Sequence, residues 1–98
     1  MAEIMVTPSE LRSKANDLQQ YNVNFRRAVE EMAGYESQLA GMWEGEAQKA
    51  FRKAFNDDRE KMNRFADNID KYVQALRTDA DEYERAENQN TNIATQRK

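Results

Sequence analysis

The stretch Gly41-Met42-Trp43-Glu44-Gly45-Glu46 holds the single tryptophan of the chain and two of its three glycines, and it lies close to the midpoint of 98 residues. Long segments patterned in sevens flank it on both sides. The stretch therefore reads as the bend of a helical hairpin. Gly41 is expected to end the first helix in the positive-φ conformation that helix ends favour, and Gly45 to give the bend its backbone freedom.

On the N-terminal side, Leu11, Leu18, Phe25, Met32 and Leu39 recur every seven residues. Tyr21, Ala28, Tyr35 and Met42 adjoin this row, and Ala15 and Val29 lie on its other flank. Offsets of three and four place all of them on one broad helical face. The helix start is marked by Thr7-Pro8-Ser9-Glu10. There the Thr7 hydroxyl can accept from the Glu10 N–H, and Pro8 stands where a missing donor costs nothing. Ile4 or Val6 is expected to pack as a staple before this cap.

On the C-terminal side the row is Phe55, Met62, Ile69, Leu76 and Tyr83, with Phe51, Phe65 and Tyr72 beside it and Ala66, Val73 and Ala80 widening the stripe. Arg52, Arg59 and Arg77 fall outside it. The pattern predicts a second helix from Glu46 to about Glu87. Residues 88–98 carry one large apolar side chain, Ile93, and no period, so a disordered tail is expected there. Residues 1–6 are expected to be a flexible N-terminus, which leaves residues 7–87 as a single helix-turn-helix domain.

Period-seven patterning favours the shallow crossing of bundled helices, about 20°. One antiparallel seam consumes only a narrow strip of each helix, whereas each helix here carries two adjacent apolar rows and part of a third. Large side chains left in water forfeit about 1.5 to 3 kcal/mol each. The fold class expected is thus all-α, an antiparallel hairpin that dimerises into a four-helix bundle. Its core and dimer interface are drawn from Leu11, Leu18, Phe25, Met32, Leu39, Phe51, Phe55, Met62, Phe65, Ile69 and Leu76. Asn22, Glu36 and Asp58 interrupt the stripe. They read as rim positions, or as polar core positions that set register, and the sequence leaves both open.

Composition narrows the function classes. The chain has no cysteine and no histidine, so thiol and Ser-His nucleophiles and most transition-metal sites lack their raw material. Carboxylates at Asp57, Asp58 and Glu60, and at Asp79, Asp81, Glu82 and Glu84, are spread around the helix axis and do not fit a calcium loop. No catalytic residue, cofactor, metal or small-molecule substrate is expected. Net charge is -3 with both signs interspersed, which argues against nucleic acid as a partner. Residues 1–7 lack the basic start and apolar run of a signal peptide, and no run of about 18 apolar residues exists. Neither a cleaved leader nor a membrane span is expected.

A chain of about 100 residues with a central W-x-G, here Trp43-Glu44-Gly45, between two helices resembles the WXG100 or ESAT-6-like family. A second family element, Y-x-x-x-[DE], is matched by Tyr83-Glu84-Arg85-Ala86-Glu87. Its offset of four sets an aromatic ring and a carboxylate on one helix face. The resemblance implies a helical hairpin secreted, without a cleavable signal peptide, by a type VII secretion system whose ATPase is a partner. It also implies an antiparallel dimer in which the W-x-G bend of one copy lies near the Y-x-x-x-[DE] end of the other. Trp43, Gly45, Tyr83 and Glu87 are then the secretion-signal positions. Each also has a plain structural reading: Trp43 as a plug at the helix ends, Gly45 as a hinge, Tyr83 as one more seam residue, Glu87 as a solvated charge. The function expected is a homodimer that acts by protein association after export. Alternatives are an adaptor that pairs with another W-x-G hairpin or a toxin leader, a membrane-active effector, and an intracellular structural hairpin.

Overall fold

A computed structural model describes the backbone of residues 6–96 and the side chains as far as Asn90. It contains two helices, α1 (Pro8–Gly41) and α2 (Glu46–Gln96), joined by four residues. At about 1.5 Å per residue, the 51 residues of α2 account for most of the long dimension of the molecule, which measures 81 × 23 × 19 Å.

The start of α1 follows its local chemistry. Thr7 Oγ1 accepts from the Glu10 N–H at 3.1 Å, the Thr7 carbonyl accepts from Leu11 at 3.0 Å, and Pro8 occupies the first turn. Val6 is half-buried beside this cap, while Ile4 and residues 1–5 lie outside the described residues. The end of α1 differs from expectation. Gly41 remains helical, and Met42 closes the helix with φ -97° and ψ 0°. Among the described residues the only positive φ belongs to Gly45, at 101°. An L side chain resists that conformation, so the W-x-G glycine is the one whose identity the backbone requires.

The helices run antiparallel, and polar ties along their length show the register. Arg12 reaches Asp81 and Glu84, Asn22 reaches Asp70, Arg59 reaches Glu30, and Arg52 reaches Glu36. The seam between the helices is made of small residues. Ala15, Val29 and Ala40 of α1 and Ala66, Val73 and Ala80 of α2 form the apolar core. Small side chains allow the axes to approach toward the short end of the usual 8–10 Å.

The small residues take the seam within the chain and the large rows lie at its outer side. A step of four residues turns about 40° around a helix, and Ala15 and Val29 stand four after Leu11 and Phe25, just as Ala66, Val73 and Ala80 stand four after Met62, Ile69 and Leu76. That small rotation points the Ala/Val flank inward and leaves the rows of large residues outside. Leu11, Leu18, Phe25, Phe51, Phe55, Met62, Ile69 and Leu76 are half-buried, while Met32, Leu39 and Phe65 are exposed.

Asn22 and Glu36 are therefore not rim residues. They continue the inner row Ala15–Asn22–Val29–Glu36 and retain only 4% and 5% of their exposure. Asn22 Nδ2 donates to the Ala66 carbonyl at 2.9 Å and to Asp70 at 2.8 Å. Glu36 accepts from Arg52 Nε at 2.9 Å. Each buried polar group thus has a partner, as burial demands, and no described side chain buries an unpaired nitrogen or oxygen. Asp58 is exposed. Arg52, Arg59 and Arg77 lie along the edge of the seam and bond across it, Arg77 to Asn16 and Gln19. They tie the hairpin together instead of facing away from it.

At the far end, α2 stays helical past Glu87 to Gln96, where the sequence pattern predicts a tail. Loss of the apolar period removes packing, but it does not remove the backbone ladder, and the polar residues of this segment have ordinary helix propensities.

Candidate functional site

Three features of the hairpin bear on function: the outer apolar face, the bend, and the open end. The outer face is the broadest. Phe25 and Phe65 meet edge to face, with ring centroids 5.7 Å apart, near the middle of the hairpin. Together with Leu18, Tyr21, Asn22 and Ile69 they line an open groove of about 310 Å³. Its walls come from both helices, so the two apolar rows present one surface. Phe65 is 55% exposed, and Tyr21, Tyr35, Tyr72, Met32 and Leu39 are exposed as well. A monomer rarely leaves a contiguous apolar surface this long uncovered.

The bend is ordered by several contacts. The Trp43 ring lies against Phe51, with centroids 5.7 Å apart and planes tilted by 45°. Gln48 Nε2 donates to the Ala40 carbonyl at 3.0 Å, which satisfies part of the C-terminal end of α1. The Gly45 carbonyl accepts from Lys49 and so begins α2. Trp43 remains 42% exposed, so it covers the helix ends and still presents ring surface outward.

The open end carries Tyr83, also 42% exposed, and Glu87, exposed as well. Asp81 and Glu84 on either side of Tyr83 are held by Arg12 at 2.8 and 2.7 Å. These hydrogen bonds to Glu84 and Asp81 raise the Arg12 guanidinium above its ordinary pKa. Within one chain the bend and the open end are not brought together. About 50 Å of helix separates Phe51, beside Trp43, from Tyr83.

A further node lies beneath the groove. Arg26 donates to Asp67 at 2.9 Å and to Asp70 at 2.6 Å, while Asn22 donates to the other oxygen of Asp70. Hydrogen bonds from Arg26 and then Asn22 hold the Asp70 carboxyl below the usual carboxylate range. Neither this node nor the Arg12 bridge belongs to a sequence motif. The available signal was the spacing of Asn22, seven from both Ala15 and Val29. Among the described residues no group of carboxylates is arranged to hold a metal ion, and no helix is long and apolar enough to cross a membrane.

The profile of WXG100, described as proteins of 100 residues with WXG, matches residues 3–88. The chain belongs to the WXG100 family. This WXG100 protein is 27% identical over 92 residues to the type VII secretion system extracellular protein A of Staphylococcus aureus strain USA300, a match covering 94% of this chain and 95% of that protein. Solved structures share the hairpin. The secreted protein EsxB of Bacillus anthracis superposes with a TM-score of 0.78 at 25% identity, covering 89% of this chain and 99% of that one. EsxA of Geobacillus thermodenitrificans superposes with a TM-score of 0.77 at 25% identity, covering 91% and 96%. These relatives are named as extracellular and secreted proteins.

Proposed function

We propose that this chain is a small secreted hairpin, exported as a folded homodimer by a type VII secretion system and acting through protein association. The observation that carries the reading is the inverted distribution of side-chain size. Ala and Val fill the seam within the chain, while Leu, Phe, Met and Tyr line a groove and face that the chain itself does not cover. A second copy packed on that face completes a four-helix bundle. An antiparallel arrangement of the two copies sets Trp43 and Gly45 of one beside Tyr83 and Glu87 of the other, which makes a composite mark for the secretion ATPase. The names of the similar proteins, extracellular and secreted, support the export half of the reading.

Mass measurement in solution on protein produced alone tests the association. A dimer at micromolar concentration supports it, and a helical monomer or an aggregate that resolves only with a second hairpin present replaces it with the adaptor reading. Export is tested by comparing culture medium from an export-competent strain with that from one lacking the type VII ATPase. Tyr83→Ala and Glu87→Ala are expected to keep the helix and lose export. Normal export of both variants refutes the assignment of the signal.

A further inference from the structure

We infer that Arg12 is a positioning residue for the Tyr83–Glu87 recognition element, a clamp from α1 that holds the exit of α2 in one rotation. The inference rests on the export reading above and adds to it a residue outside both sequence motifs. At this end the buried residues are Pro8 and Ala15 on α1 and Ala80 on α2. Beyond Ala80 every α2 side chain from Asp81 to Asn90 is exposed, so α2 buries no side chain of its own there to fix its rotation. Arg12 supplies the remaining described tie across the helices, donating from Nη2 to Asp81 and Glu84 at 2.8 and 2.7 Å.

The position of those two carboxylates gives the clamp its consequence. They bracket Tyr83, and Glu84 stands one turn before the last residues of the Y-x-x-x-[DE] element. Opposite them, the first turn of α1 runs back from Arg12 to Pro8 and the Thr7 cap, and the antiparallel register lays that turn alongside Tyr83–Glu87. Between residues 79 and 87 the sequence places Asp79, Asp81, Glu82, Glu84 and Glu87 against the single cation Arg85. Like charges so spaced weaken a helix that has no packed face. Arg12 offsets two of them, while Asp79, Glu82 and Glu87 stay exposed. A receptor that reads ring and carboxylate together then meets an ordered turn instead of a fraying one.

The test uses the full chain with Arg12→Ala, Arg12→Lys and Tyr83→Ala, each followed by amide hydrogen exchange on the purified protein and by export into culture medium. Arg12→Ala is expected to speed exchange of residues 81–87 by about two- to fivefold while residues 62–73 keep their protection. Its export should fall several-fold, and Arg12→Lys should restore most of both. Unchanged exchange at 81–87, or faster exchange spread over the whole hairpin, overturns the clamp. So does normal export of Arg12→Ala alongside lost export of Tyr83→Ala. Normal export of Tyr83→Ala instead refutes the signal reading, and the exchange data still decide whether Arg12 orders this turn.

Discussion

Replacing Phe65 with Ala separates the two packing surfaces of the hairpin. Phe65 is 55% exposed in the single chain, so about half of its side chain is available to a second copy. Full burial of a phenylalanine is worth about 1.5 to 3 kcal/mol, which leaves roughly 0.8 to 1.5 kcal/mol for the association of each protomer. A symmetric dimer loses this twice, so Phe65→Ala should weaken dimerisation by about 1.6 to 3 kcal/mol. At about 1.4 kcal/mol per decade, that is a dissociation constant raised roughly 15- to 150-fold. Sedimentation equilibrium over a dilution series measures it, with Val73→Ala as the contrast. Val73 lies in the seam at 2% exposure, and its loss should lower the thermal midpoint without a comparable direct effect on the outer face. A Phe65→Ala protein with an unchanged dissociation constant would refute the assignment of the outer face to a second copy.

Asn22→Ala should destabilise the fold by about 1 to 3 kcal/mol in urea titration, because the Ala66 carbonyl loses a buried donor. The Asp70 carboxyl is held below its unfolded value of about 3.9. Its contribution is therefore present above that pH and disappears as pH falls through the lower folded value. Asp70→Asn should accordingly lower the thermal midpoint at neutral pH and flatten its decline below about pH 4. The two bend glycines should part company in thermal melts. Gly45→Ala meets no atom within 4 Å but must hold a φ of 101°, at a cost of about 1 to 3 kcal/mol. Gly41→Ala, in a helix with open space around it, should be stabilising by about 0.5 to 1 kcal/mol.

The fold was legible where its causes are local. The Thr7–Pro8–Glu10 cap and the repeats of seven need only neighbours in sequence, and both stand in the structure. The choice of inner row was not legible. Ranking by hydrophobicity assigns Phe25 and Ile69 to the seam, whereas the approach of two helices selects Ala15, Val29, Ala66 and Val73, and that distance is a property of the pair. Asn22 shows the same limit. Its acceptors on Ala66 and Asp70 lie 44 and 48 residues away, so nothing beside it in the chain reveals that it is satisfied. Gly41 and Gly45 flank the bend alike, and only the path of the backbone decides which one carries the positive φ.

On the proposed reading, the long axis of the hairpin also makes export depend on association. Trp43 sits at one end of the molecule and Tyr83 near the other, about 50 Å apart along α2, farther than one small receptor pocket spans. A single chain can therefore offer the bend or the open end to such a pocket, but not both. If the ATPase reads a composite of the two, a variant that keeps Trp43, Gly45, Tyr83 and Glu87 intact and weakens only the outer face must lose export. Phe65→Ala meets that condition, since Phe65 contacts Phe25 near mid-hairpin and neither end. At cellular concentrations below its raised dissociation constant, its appearance in the medium should fall with the dimer fraction and recover on overexpression. Export that tracks total protein instead would mean that one end suffices, and that the apolar face serves a partner met after secretion.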